Sequence, residues 1–222
     1  MNIIKIRHAI ELAKQHCGRT LDPVELVAVS KGQPIHKIEA AILTGQKKFA
    51  ENYLQEALPK IEALREFKLE WHFIGAVQRN KTRDIAENFA WVHSVDRKEI
   101  IKRLSEQRPI RLGNLNVCIQ VNVVGESQKN GVSPDELVTL AKYAYGLPGI
   151  ALRGLMIIPP FTEDFVLQRK SFQKLRELKD NLINQCIPLD TLSMGMSHDF
   201  EAAIIEGATI VRIGAAIFGK RR

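Results

Sequence analysis

The chain has 222 residues, 45% hydrophobic and 26% charged, with a formal charge of +7. That is ordinary globular composition, long enough to bury a core in one domain, and no stretch approaches the length of a transmembrane helix. Lys and Arg are scattered, with one tight run, "KRR" at 220–222, and only 6% of residues are aromatic. A solvated basic surface is therefore expected rather than a nucleic-acid site.

The opening "MNIIKIRHAIELAKQHC" has no unbroken apolar core and is not a secretory signal. Ile3, Ile6, Ile10, Ala13 and Cys17 instead share one helical stripe. Cys17, Cys118 and Cys186 are odd in number and form no C-x-x-C pair, so neither a disulfide framework nor a zinc site is expected. Cys118 lies in an apolar strand pattern and should pack as a small hydrophobe. A reducing cytoplasm is the expected location.

Beyond the first helix, short β-rich runs alternate with longer amphipathic stretches. Strands are predicted at 25–30, 47–50, 71–74, 91–94, 116–122, 152–157, 190–193 and 209–213. Helices are predicted at 34–45, 52–65, 80–88, 97–107, 133–145, 162–184 and 198–207. Ser133 and Pro134 are N-cap and N1 candidates for the fifth of these. The polar loop 123–132 is expected to be a surface loop rather than an active-site lid. Strict βα alternation implies a parallel sheet, and eight units match a closed (β/α)8 TIM barrel with an extra N-terminal helix, in one domain over 1–222. An open doubly wound sheet is the alternative.

In such a barrel ligands bind at the C-terminal ends of the strands. "VAVSKGQP" (27–34) puts Lys31 at the first strand's end. A partly desolvated lysine is a nucleophilic amine that condenses with aldehydes, although a lysine snorkelling to the rim is the commoner case. "LSMGMSHDFEAAI" (192–204) and "VRIGAAIFG" (211–219) each run from strand through a glycine turn into a helix, with Ser197 as a candidate N-cap. Two such turns after strands seven and eight suggest a phosphate site of backbone N–H groups. Asp199 and Glu201 would repel phosphate unless turned away. Arg212 sits in an apolar strand and needs an acceptor, either a pyridine nitrogen or a carboxylate such as Glu51. An amine, an anion site and a guanidinium fit pyridoxal 5′-phosphate, and an aldolase for a phosphorylated sugar fits the first two.

The motifs "VAVSKGQP", "FAENYLQEA" (49–57), "EWHFIGAVQRNK" (70–81), "VHSVD" (92–96), "LRGLMIIPP" (152–160), "LSMGMSHDFEAAI" and "VRIGAAIFGK" resemble the YggS/PROSC family of pyridoxal phosphate homeostasis proteins, in order along the chain. The resemblance implies a fold-type III barrel like the N-terminal domain of alanine racemase. It implies a Schiff base on Lys31, Arg212 at the pyridine nitrogen, and phosphate held by Gly195, Met196, Ser197, Gly214 and Ala215. Asn52 and His72 match positions near the cofactor. The chain departs from the family at Ala50, at "GAVQRNK", at His198 and at Ala215, where a threonine is common and a hydroxyl donor is lost.

A role in vitamin B6 and amino-acid or keto-acid balance, without turnover, is the functional expectation, with a racemase or decarboxylase as the alternative. A racemase needs a base on each face of the cofactor, and the chain stops at Arg222, leaving no second domain to supply one. An unprotonated pyridine also suits storage and delivery better than carbanion chemistry. A monomer that hands its cofactor to apoenzymes is expected, with no nucleic-acid or membrane partner.

Overall fold

A computed structural model describes residues 3–123 and 130–219. The "KRR" run and most of the 123–132 loop lie outside the described residues. Eight parallel strands close into a barrel in sequence order: β1 (Glu25–Val29), β2 (Lys48–Glu51), β3 (Glu70–Phe73), β4 (Trp91–Val95), β5 (Leu115–Gln120), β6 (Ile150–Met156), β7 (Thr191–Ser193) and β8 (Ile210–Ile213). β8 pairs back onto β1 from Glu25↔Ile210 to Ala28↔Ile213, so the sheet is closed and not open.

The helices are α1 (Ile3–His16), α2 (Ile35–Ile42), α3 (Leu54–Ala63), α4 (Thr82–Asn88), α5 (Lys98–Gln107), α6 (Pro134–Tyr145), α7 (Phe165–Asn184), α8 (Phe200–Ile205) and α9 (Ala215–Phe218). Ser133 caps α6, its Oγ accepting from the Glu136 N–H at 3.3 Å. α1 buries Ile3, Ile10 and Ala13 and packs on α8. Arg19, just beyond α1, donates to the carbonyls of Ile204 and Ala208 and so ties this extra helix to the end of α8.

Side chains alternate across each strand. Leu26, Ala28, Phe49, Trp71, Val117 and Val211 face the helices in the main core. Val27, Val29, Ala50, Trp91, Cys118, Met156 and Ile210 form a separate cluster inside the barrel. Apolar residues on both faces make the strands near-continuous hydrophobic runs, as buried parallel strands require. Polar residues also occupy the interior: His72, His93, Ser193 and Arg212 are all buried. Beyond β5, the stem of the loop closes on itself through Asn122 N–H to the Val132 carbonyl and Gln120 Nε2 to the Asn130 carbonyl.

Candidate functional site

Glu25, Val27 and Val29 face inward on β1, and Lys31 follows two residues beyond the strand's C-terminal end, half-buried in the turn there. Its neighbours are fixed on both sides. The Ser30 N–H donates to the Ala50 carbonyl at 2.9 Å, and Ser30 Oγ donates to Glu51 Oε1 at 2.6 Å. Lys60 of α3 donates to the Ser30 carbonyl at 2.9 Å and to Glu51 Oε1 at 2.8 Å. Gly32, at φ +65°, donates its N–H to Glu56 Oε2 at 2.8 Å. Glu51 is fully buried on the outer side of β2, and burial pushes its carboxyl pKa up against the bonds from Lys60 and Ser30. It faces α3 and not the barrel axis, so Glu51 is not the acceptor for Arg212.

The turns after β7 and β8 meet. The Ala216 N–H donates to Ser197 Oγ at 3.2 Å, bridging the two loops and leaving the Ser197 hydroxyl proton to donate elsewhere. Gly195 has φ +94°, and an added Cβ there would lie 2.7 Å from the Ala203 side chain, so this turn requires glycine. An added Cβ at Gly214 would lie 3.2 Å from the Val29 carbonyl, which marks how closely this turn approaches β1. Ala215 is exposed at the start of α9. Two details differ from the sequence reading. Ser197 is not a helix cap, because Asp199 stands at the N-cap of α8. The Met196 N–H is already taken by Asp199 Oδ1 at 2.6 Å, so it is not a free anion donor in this state. Glu201 is exposed and turned away.

Arg212 is buried inside the barrel, beside Val27 of β1. Its guanidinium donates to Ser193 Oγ at 2.7 Å and to the Ile157 carbonyl at 2.8 Å, and these two bonds use only part of its five-donor fork. No carboxylate bonds it among the described residues. Burial lowers its pKa to about 10, which keeps it charged at neutral pH.

His72 is not with these groups. It lies in the lower half of the barrel, between Glu70 Oε1 and His93 Nε2, each at 2.9 Å, and it lines a cleft at the N-terminal ends of the strands. The sequence reading expected His72 near the cofactor; its side chain borders the basal cleft, in register with Trp91 at the start of β4. It reaches Arg212 only through His93 and Ser193. Of those two intermediaries the sequence reading noted Ser193 only as a strand-end residue and passed over His93.

Asn52, at the inner end of β2, has a buried Oδ1 with no partner among the described residues. It borders a cleft of about 250 Å³ with Tyr53, Phe73, Gly75 and Lys81. The backbone passes so close here that a Cβ on Gly75 would overlap the Asn52 carbonyl at 1.9 Å. A buried amide oxygen without a partner among the described residues is a group that a polar ligand could satisfy.

Residues 1–222 match the family described as alanine racemase, N-terminal domain. A pyridoxal phosphate homeostasis protein of Pseudomonas aeruginosa is 54% identical, over 99% of this chain and 94% of its own. One from Vibrio cholerae is 50% identical over 99% and 95%, and one from Escherichia coli 45% over 99% and 95%. Among solved structures, PipY of Synechococcus elongatus with PLP bound superposes with a TM-score of 0.84 at 34% identity, covering 95% of this chain and all of that one. Alanine racemase from Corynebacterium glutamicum shares the fold, with a TM-score of 0.70 at 16% identity over 96% of this chain and 60% of its own. The chain belongs to the alanine racemase N-terminal-domain family and, within it, to the pyridoxal phosphate homeostasis proteins.

Proposed function

We propose that the chain is a single pyridoxal 5′-phosphate-binding barrel over 1–222 that serves vitamin B6 homeostasis and amino-acid and keto-acid balance. The observation that carries this reading is a convergence. β1, β7 and β8 are neighbours, and their mouth ends bring together an amine, two bridged glycine turns and a buried guanidinium with donors to spare. When bound, pyridoxal phosphate supplies an aldehyde that condenses reversibly with amines. Lys31 is the amine that would hold that aldehyde, with its backbone fixed by the Ser30–Glu51–Lys60 cluster. The Ser197 hydroxyl and the backbone of Gly195, Gly214 and Ala215 would hold the phosphate at the joined loops, with Met196 contributing only if Asp199 releases its N–H. Asn52 would take a polar substituent of the ring.

Arg212 would donate to the pyridine nitrogen. A guanidinium with a pKa of about 10 keeps its proton in competition with a pyridine, so the ring nitrogen accepts a hydrogen bond and is not protonated. That weakens electron withdrawal and favours holding and delivery over carbanion chemistry. The relatives named as homeostasis proteins support the homeostatic role, and the proposal adds to it the absence of turnover, a monomeric state and transfer to apoenzymes in the cytoplasm. The alanine racemase neighbour supports the competing racemase reading by fold alone.

Borohydride treatment of the protein loaded with pyridoxal phosphate should fix the label on Lys31 and nowhere else. Label on another lysine, or none, refutes the site. Sustained racemisation or CO2 release across a panel of amino acids would replace the homeostatic reading with the enzymatic one.

A further inference from the structure

The barrel axis holds a continuous polar chain. Arg212 Nη1 lies 2.7 Å from Ser193 Oγ, which lies 2.7 Å from His93 Nδ1. His93 Nε2 lies 2.9 Å from His72 Nδ1, and His72 Nε2 lies 2.9 Å from Glu70 Oε1. With both rings neutral, the carboxylate end fixes the direction of each bond as far as Ser193, and the guanidinium fixes the last. A guanidinium only donates and a carboxylate only accepts. Arg212 therefore donates to Ser193. Ser193 spends its one O–H proton on His93 Nδ1. His93 carries its proton on Nε2 and donates to His72 Nδ1. His72 carries its own on Nε2 and donates to Glu70. The two imidazoles are then in the same tautomer.

The surroundings hold that state. His72 and His93 are buried, and Trp91 stacks on His72 with ring planes 5° apart. The charged groups facing His72 are Glu70, Lys48 and Glu25, and those facing His93 are His72 itself and Arg212. An extra proton on His72 Nδ1 would point at the His93 N–H. An extra proton on His93 Nδ1 would leave the Ser193 hydroxyl without an acceptor. Burial lowers the pKa of both rings, most strongly for His93, which matches the geometry.

The far end opens to solvent. Glu70 and His72 line the basal cleft of about 430 Å³, together with Glu25, Lys48, Arg153 and Asp190. Lys48 holds Glu25 at 2.8 Å and Glu70 at 3.8 Å, and Arg153 holds Asp190 at 2.6 Å. The chain thus runs from a charged cleft at one end of the barrel to the buried guanidinium of β8 in its interior.

We propose that Glu70, His72, His93 and Ser193 are positioning residues, a one-way hydrogen-bonded relay that orients Arg212 and couples the basal cleft to the ligand end of the barrel. Only its last link rests on the pyridoxal phosphate reading. Nitrogen-15 NMR of histidine-labelled, cofactor-free full chain tests the direction: both rings should show a protonated Nε2 and a bare Nδ1. Adding pyridoxal phosphate should then shift the ring resonances of His93 and His72, although neither lies at the mouth. In His93→Phe the His72 response should be lost while borohydride still labels Lys31. A protonated Nδ1 on either neutral ring overturns the relay, and so does a His72 response that survives His93→Phe. Rings unmoved by cofactor in wild-type protein labelled at Lys31 overturn it as well. If Lys31 takes no label while both rings show the expected tautomer, the cofactor reading fails and the direction of the relay stands. The wild-type measurements decide the matter should His93→Phe not fold.

Discussion

Replacing Ser197 with alanine removes two bonds of different kinds: the acceptor for the Ala216 N–H that joins the turns after β7 and β8, and a hydroxyl free to donate to an anion. A hydrogen bond to a charged acceptor contributes about 1.5–3 kcal/mol, so Ser197→Ala should weaken pyridoxal phosphate binding by roughly ten- to a hundredfold. Pyridoxal, which lacks the phosphate, should bind wild type and variant alike. Equal losses for the two ligands in a fluorescence or absorbance titration would remove Ser197 from the phosphate site. The positions of Lys31, Arg212 and Gly195 in or just beyond β1, β8 and β7 were legible in the sequence because each breaks the local apolar pattern. His93 and Ser193 were not legible as a pair. They are 100 residues apart, and only closure of the barrel makes them neighbours. Asp199 was misread in part for the same reason: its bond to the Met196 N–H is a property of the folded turn, invisible to spacing.

Periodicity placed every predicted strand within two residues of an observed one, because a parallel strand buried on both faces announces itself as a short β-branched run. Helix ends were harder. α8 begins at Phe200, where 198 was predicted, because Ser197 serves the neighbouring turn and does not cap the helix. The element that sequence reading undervalued is α3. Its Lys60 is a solvated residue by pattern, yet it is buried and clamps β1 to β2 through the Ser30 carbonyl and Glu51. Removing one partner of a buried pair strands the other charge, at about 3–5 kcal/mol. Lys60→Met should therefore lower the melting temperature by roughly 6–20 °C, at 2–4 °C per kcal/mol for a chain of this size. Adding Glu51→Gln should recover most of the loss, because the stranded charge is then gone. A double variant as unstable as Lys60→Met would show that the lysine acts by packing alone.

At the scale of the whole barrel, a neutral two-histidine segment along the axis makes the fold sensitive to acid. In the unfolded chain both rings titrate near 6.5, while in the barrel burial holds them below that value. Below pH 6.5 the unfolded state therefore binds more protons than the native state, so stability must fall as pH falls, until the folded rings themselves protonate. Each uncoupled proton contributes a slope of about 1.4 kcal/mol per pH unit. Glu70, whose pKa is lowered from 4.5 chiefly by its bond to His72, adds a second loss only below that value. The histidine window is thus separable from the carboxylate window. Denaturant unfolding of the cofactor-free protein between pH 6.5 and about 5 should show the wild-type slope, and His93→Gln, which has no titrating ring, should show it reduced by roughly one proton. An unchanged slope would mean that His93 takes up its proton in the native barrel as readily as in the unfolded chain. Arg212 would then face an axis that is charged below neutral pH, where repulsion between two cations and not a directed bond would set its position.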